Sequence, residues 1–241
     1  MAEIQTLHYI SWDEFTRSVR IDLFGGEPFR RNRYLFRGVS SEDYQLVSSF
    51  DRVFGPRPDP HRMFAALLAA FREECEGQVA SEILDDELKT LALGQHHGLP
   101  TRLLDWTESP YVAAFFAFSG ALRHQPLENR RVAVWVLHRS APVWSREFGV
   151  ELLAVPSVGN IRIRNQAGRF TLARTPFRTL EQFVEHAPYD GVALTKVAVP
   201  ASEARRCLAE LAMMGLTPAR MFPDLAGSAA AAEMRVLLED E

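Results

Sequence analysis

The sequence predicts an α+β fold in which a mixed or antiparallel sheet is flanked by helices, and three observations support this prediction. Short runs rich in β-branched and aromatic residues alternate with segments whose apolar residues recur at helical spacing. Serine and proline stand where helices would begin, and glycine stands where one would end. Of the 241 residues, 47% are apolar and 24% charged, which is an ordinary globular composition. We therefore expect a single domain over residues 1–241.

The N-terminal part of the chain, about residues 1–93, is predicted to be mainly helical. Ser11 followed by Glu14 forms a capping box, which predicts a short helix. Aromatic and branched residues predict a strand at Tyr34–Val39. After a proline-rich loop, apolar residues at helical spacing predict helices over residues 62–93.

The middle part, about residues 94–200, is predicted to contain most of the sheet. Ser109 followed by Pro110 fits a helix cap and first turn, which predicts a helix over residues 111–122. Strand propensity predicts further strands in this part, at residues 132–138, 151–155, 161–163, 168–172 and 192–199.

The C-terminal part, about residues 200–241, is predicted to consist of helices.

Charge and cysteine content narrow the class of protein. A net charge of −4 lacks the basic footprint of proteins that neutralise DNA phosphates. Cys75 and Cys207 lie far apart without a CxxC spacing, so they indicate buried thiols in a reducing compartment. The longest wholly apolar run, residues 111–118, is shorter than the roughly 20 residues that span a bilayer. We therefore expect a cytoplasmic protein without membrane association, and its oligomeric state stays open.

A polar and aromatic segment at residues 94–110 interrupts the apolar elements and is predicted to form a site. His97 is either a general base, since histidine titrates near neutrality, or a buried group bonded to backbone. Thr101 and Asp105 either bind ribose or phosphate at the start of the following helix, or serve as turn and capping groups. Trp106 either stacks on a planar ligand or belongs to the core.

Arg37 and Gln166 are the candidates outside this segment. Arg37 either forms an ion pair with a carboxylate such as Asp105 or binds a pyrophosphate, because a planar guanidinium suits both. Gln166 closely precedes Gly168, and a glycine within a strand often marks a close backbone approach. We therefore expect Gln166 to face the site.

Several chemistries are disfavoured by the motifs. The neighbouring histidines His96 and His97 would point to opposite faces of a strand, so they could not readily bind one metal ion. Asp105 is the only other obvious ligand, and no metal site is therefore expected. The sequence has no glycine-rich phosphate loop, Walker sequence or GxSxG elbow, which argues against Rossmann dehydrogenases, P-loop ATPases and α/β-hydrolases. A metal-dependent nuclease would need clustered carboxylates, which the sequence does not display.

Five blocks, in order along most of the chain, resemble the FRG domain family. The first is Leu-Phe-Arg-Gly at residues 35–38, with Leu46 and Arg52 downstream. The most specific is Gln-His-His-Gly-Leu-Pro-Thr-Arg-Leu-Leu-Asp-Trp-Thr at residues 95–107. The others are residues 113–117, Gln-Ala-Gly-Arg-Phe at 166–170, and the segment 216–225 that ends in Phe-Pro-Asp-Leu.

A second resemblance is to arginine-type ADP-ribosyltransferases. The Phe-Arg-Gly strand at residues 36–38 is similar to their first strand, whose arginine holds a phosphate or ribose of NAD. The order of residues 105–107 and the helix at 112–117 is similar to their polar strand and the helix that follows it. Gln166 is the positional analogue of their catalytic glutamate.

These resemblances imply an ADP-ribosyltransferase-like fold with NAD as substrate and no metal. They imply an ADP-ribosyltransferase or NAD glycohydrolase acting as a bacterial toxin or phage-defence effector, with a protein or nucleic acid as acceptor. The alternative is a non-catalytic nucleotide- or protein-recognition module, which an amide in place of the glutamate favours. The implied catalytic residues are Arg37, His97, Asp105 and Gln166, and the implied cofactor-binding residues are Phe36, Arg37, Gly38, Thr101, Arg102, Trp106 and Thr107.

Overall fold

The computed structural model describes residues 2–22, 33–124, 126–154 and 168–239, which form a seven-stranded sheet with ten α-helices. The strands are β1 (Ala2–His8), β2 (Tyr34–Val39), β3 (Leu103–Thr107), β4 (Arg131–His138), β5 (Val150–Leu153), β6 (Gly168–Ala173) and β7 (Gly191–Pro200). The helices are α1 (Trp12–Asp22), α2 (Ser49–Phe54), α3 (Pro60–Glu74), α4 (Ser81–Leu84), α5 (Glu87–His96), α6 (Pro110–Leu122), α7 (Leu180–His186), α8 (Ala204–Met213), α9 (Pro218–Met221) and α10 (Leu225–Glu239).

The sheet has the order β1-β7-β4-β2-β3-β6-β5 and is mixed. β1 runs parallel to β7, and all the other neighbouring pairs are antiparallel. In the described residues, β2 and β3 pair at one position, Phe36 with Thr107. The sheet therefore consists of a four-stranded part and a three-stranded part that diverge between β2 and β3.

Three apolar clusters hold helices against these two parts. On the four-stranded part, α1, α6 and α8 pack over residues such as Phe36 and Val134, whereas α7 packs over Leu35 and Trp135. Alternation along β2 explains this, because successive side chains point to opposite faces. On the three-stranded part, α2, α3 and α5 pack over β3, β5 and β6.

Gly38 lets α6 lie directly against β2. A Cβ atom at this position would overlap the carbonyl oxygen of Ala113 and lie 2.8 Å from the Ala117 nitrogen. The start of α6 is fixed by Ser109, whose hydroxyl oxygen accepts a hydrogen bond from the Val112 amide at 3.3 Å. The first turns of α6 are therefore placed directly against β2.

The sequence-based fold prediction is confirmed at its coarse level, as an α+β protein with a mixed sheet. The bounds predicted for β2 and the cap of α6 are confirmed, and so is the Ser11 cap of α1, although Glu14 accepts from the Ile10 amide instead of the Ser11 amide. β1 and α7 were not predicted. The strand predicted at 161–163 lies outside the described residues.

Replacing Gly38 by alanine should destabilise the fold, because the new methyl group meets rigid helix backbone. We expect Gly38→Ala to lower the free energy of unfolding by about 1–3 kcal/mol or more in urea titrations. Gly94→Ala is the matched control, since its Cβ would meet the movable end of the Leu99 side chain and alanine favours the helix α5. Equal stability of Gly38→Ala and wild type would contradict this account of the contact.

Candidate functional site

A cavity of about 890 Å³ opens where β2 and β3 diverge, between α5 and α6. This volume lies in the range of about 300–1,000 Å³ that is typical of small-molecule sites. Its floor comes from β2 and β3, and one side is formed by residues 40–47, the wall loop. The ionisable and amide side chains that line it are Arg37, Asp43, Gln45, Arg52, Gln95, His96 and Asp105.

Arg37 bridges the diverging strands. Its Nη1 donates a hydrogen bond of 2.7 Å to the main-chain oxygen of Asp105, and the same nitrogen lies 3.7 Å from the Asp105 carboxylate. Burial lowers the pKa of Arg37, the charge of Asp105 raises it, and the charge of Arg52 lowers it. The alternative in which Arg37 pairs with Asp105 is therefore observed.

Asp105 is held from a second direction by α5. The Gln95 Nε2 donates to its Oδ1 at 2.6 Å, and the Gln95 Oε1 accepts from the Thr101 hydroxyl at 2.5 Å. Thr101 is fully buried, and its carbonyl oxygen accepts from the Phe50 amide and the Ser49 hydroxyl. The Asp105 side chain is 61% exposed, yet it has a defined position because of these neighbours.

Arg52 supplies a second guanidinium to the cavity. Its Nη1 donates to the main-chain oxygen of Val47 at 2.6 Å, which turns the side chain back over the end of the wall loop. Among the described residues, no carboxylate lies within ion-pair distance of Arg52. Arg37 is therefore close to a carboxylate, whereas Arg52 forms no direct ion pair among the described residues.

Part of the cavity lining is aromatic. Phe116 of α6 and Phe222, which follows α9, meet edge to face with ring centroids 6.0 Å apart. Phe170 of β6 also lines the cavity, and Tyr44 of the wall loop is 51% exposed at its side. Flat rings of this kind suit a planar ligand group.

The wall loop is fixed to the start of α7. The Leu46 amide donates to the Glu181 carboxylate at 2.9 Å, the Leu180 amide donates to the Leu46 oxygen at 3.1 Å, and Val47 bridges to Thr179. Burial raises the pKa of Glu181, and the hydrogen bond from Leu46 opposes this effect. The cavity wall therefore depends on a buried carboxyl group on another element.

Four of the predicted cofactor-binding residues line the cavity as parts of its frame. Phe36 is buried under α6, and Gly38 contacts that helix. Trp106 is buried with its Nε1 donating to the Thr171 hydroxyl at 3.0 Å, and the buried Thr107 hydroxyl accepts from the Ser109 amide.

Three other predicted residues do not line the cavity. Thr101 lies beneath it in the core, and His97 is an exposed residue that ends α5, so it is not the buried histidine that was one of the expectations. Arg102 is 1% exposed, with its Nε 3.4 Å from the Asp51 carboxylate. Its other donors bind the main-chain oxygens of Thr175 and Phe177. These contacts give Thr101 and Arg102 structural roles.

Gln166 lies outside the described residues. Gly168, two residues later in the chain, begins β6 and pairs with Thr107 at the floor of the cavity. Arg52, Tyr44, Phe116, Phe170 and Phe222 were not selected as site residues from the sequence. Gln95 and His96 lie in the segment 94–110 that was predicted to form a site, but neither was given a role there. Gln95 and Arg52 did belong to the blocks that carried the family resemblance, which was the available signal.

One family match fits this arrangement. Residues 32–125 match the FRG domain family. This FRG segment contains β2, β3 and α2–α6, and therefore every residue that lines the cavity except Phe170 and Phe222. No curated protein and no solved structure matches the chain.

Two further findings concern the described residues as a whole. They contain no helix long and apolar enough to cross a membrane. They also contain no group of three or more histidine, cysteine, aspartate and glutamate side chains placed to hold a metal ion.

Removing Arg102 should test whether it belongs to the core or to the site. We expect Arg102→Ala to lower the free energy of unfolding by about 3–5 kcal/mol, because it leaves the Asp51 charge buried without its partner. The double variant Arg102→Met with Asp51→Leu should recover part of this loss, since both charges are then absent. Urea titrations measure both, and a loss below about 0.5 kcal/mol for Arg102→Ala would contradict the structural role.

Glu181 should make stability depend on pH. Its folded-state pKa is raised above the ordinary value of 4.5, so its contribution is fully present below that value and is lost as pH rises through the folded pKa. We expect Glu181→Gln, which keeps an acceptor for the Leu46 amide but carries no charge, to unfold at a temperature that changes less between pH 4.5 and 8. If the unfolding temperature of this variant depends on pH as that of wild type does, Glu181 is not a source of the pH dependence.

Proposed function

We propose that this chain binds a nucleotide of the NAD class in the cavity and transfers or hydrolyses its ADP-ribose group. The observation that carries the proposal is the pair of guanidinium groups, Arg37 and Arg52, at one cavity that is also lined by aromatic rings. Guanidinium groups bind the oxygens of a pyrophosphate through paired, charge-assisted hydrogen bonds.

The shape and charge of the cavity support a dinucleotide. The pyrophosphate would lie between Arg37 and Arg52, and a planar base would lie against Phe116 and Phe222. The guanidinium charges are balanced by the carboxylates of Asp43 and Asp105, which also line the cavity. A ligand of low net negative charge is therefore favoured over a triphosphate.

Asp105 is the carboxylate that we assign to the chemical step. When the bond between nicotinamide and ribose breaks, nicotinamide leaves with the electron pair and positive charge develops on the ribose. A carboxylate near the ribose stabilises that charge. Water or an acceptor then donates an electron pair to the ribose carbon and loses its proton. Gln166, two residues before β6, retains its assignment to the same site, and Thr107 would contact the ribose.

The setting that we propose is a cytoplasmic bacterial toxin or phage-defence effector whose acceptor is a protein or nucleic acid. The resemblance of residues 36–38, 105–107 and 112–117 to ADP-ribosyltransferases is the support for this setting.

A non-catalytic recognition module is the second candidate. It is favoured by the hydrogen bonds of Asp105, whose carboxylate already accepts from Gln95 and lies near Arg37. A carboxylate engaged in this way can serve as a fixed part of a binding pocket that turns over no substrate.

Arginine variants distinguish the proposal from a purely structural cluster. We expect Arg52→Ala to weaken NAD binding about tenfold or more in calorimetry, because a hydrogen bond to a charged group contributes roughly 1.5–3 kcal/mol. Release of nicotinamide should fall in parallel, while the melting temperature stays near that of wild type. Arg37→Ala should lose binding and also melt lower, since the bridge to Asp105 is lost.

Arg57→Ala is the matched control, because it removes the same charge from an exposed loop that does not line the cavity. Binding of NAD without release of nicotinamide would support the second candidate, a non-catalytic recognition module. Wild-type protein that neither binds NAD nor releases nicotinamide would refute the proposed function.

A further inference from the structure

The Asp105 carboxylate lies between two competing donors. The Gln95 Nε2 is 2.6 Å from Oδ1, whereas the Arg37 Nη1 is 3.7 Å from Oδ2, which is too long for a hydrogen bond. Arg37 directs its hydrogen bond to the main-chain oxygen of the same residue. The carboxylate is thus bonded to the neutral amide and only near the cation.

Thr101 sets the direction of the Gln95 amide. Its hydroxyl donates to the Gln95 Oε1 at 2.5 Å, and its oxygen also accepts from the Leu103 amide at 3.4 Å. With Oε1 turned to Thr101, the NH2 group of Gln95 must face Asp105. The opposite orientation would place the amide oxygen against a carboxylate, which is repulsive. The buried position of Thr101 gives this arrangement a rigid base.

Without the amide, the carboxylate would have one strong partner nearby. A carboxylate and a guanidinium form their most favourable contact through two parallel hydrogen bonds. Asp105 would close onto Arg37 and occupy the donors that a phosphate needs. The carboxylate would then act as an internal competitor of the ligand.

We propose that Gln95 is a positioning residue that keeps the Asp105 carboxylate outside hydrogen-bond distance of Arg37 and so keeps the Arg37 donors available to a phosphate-bearing ligand. This inference rests on the proposed function in that the cavity takes such a ligand. The inference extends the proposed function, because it assigns control of the phosphate subsite to the Gln95 amide on α5.

The test compares Gln95→Met, which has a similar length but no hydrogen-bonding group, with wild type. The probes are inorganic pyrophosphate and NAD, each titrated by calorimetry. We expect Gln95→Met to bind both about tenfold more weakly, because Asp105 now competes for Arg37. Gln78→Met is the matched control, since Gln78 is exposed in the turn after α3 and its amide donates to the Glu74 oxygen outside the cavity.

A second substitution separates positioning from damage to the fold. Adding Asp105→Asn to Gln95→Met removes the competing charge, so pyrophosphate binding should return to within about twofold of the single variant Asp105→Asn. A misfolded Gln95→Met protein would not be rescued in this way. Unchanged pyrophosphate affinity in Gln95→Met, or no rescue by Asp105→Asn, would overturn the inference.

The two probes keep this inference separate from the proposed function. If wild type binds pyrophosphate but not NAD, the proposed function fails, and the inference is still decided by the pyrophosphate affinities of the variants. If wild type binds neither probe, both are overturned, because no phosphate subsite exists for Gln95 to control.

Discussion

The structure depends on the hydrogen bond from Arg37 to the main-chain oxygen of Asp105. Where β2 and β3 separate, the carbonyl groups of β3 lose the strand that would normally donate to them. An unsatisfied carbonyl group in a partly buried place is costly, so an opening in a sheet requires a substitute donor. The guanidinium supplies it and can still present its remaining donors to the space that the opening creates. The Arg37 side chain therefore stabilises the opening between the strands and also provides hydrogen-bond donors to the cavity.

The neighbours of Arg37 on β2 give the opening its shape. Phe36 fixes the strand in the core under α6, and Gly38 allows the backbone of α6 to approach so closely that no side chain fits between them. The helix then forms one side of the cavity and α5 forms the other. Phe36, Arg37 and Gly38 thus have three different structural roles, although they are consecutive in β2.

Local patterns predicted the elements whose burial is evident in the sequence. β2 and α6 are apolar and have clear boundary residues, so both were found near their observed bounds. β1 is an edge strand with mostly exposed, polar side chains, so its sequence has little strand signal. It becomes a strand by pairing with β7, far along the chain, and no local pattern contains that information.

The site was predicted in part for a related reason. Arg37 and Asp105 were selected and lie together, because each carries a strong chemical signal on an extended segment. Arg102 was selected with Asp105, but residues an odd number apart on extended backbone point to opposite faces, so Arg102 enters the core. His97 was misplaced because α5 continues to His96, which replaces strand geometry by helix geometry. Arg52 reaches the cavity through tertiary packing that the sequence does not encode locally.

The parallel pairing of β1 with β7 has a consequence for how the chain reaches its native state. Residues 2–8 are synthesised long before their partner at residues 191–200, because the segment between them must be made first. Contacts between residues so far apart in the sequence slow folding, because the entropy cost of closing a very long loop precedes any stabilisation from the contacts. Until β7 has been made, β1 lacks its partner strand, and its backbone donors and acceptors have no strand to pair with. During synthesis this segment can therefore pair with strands of neighbouring chains.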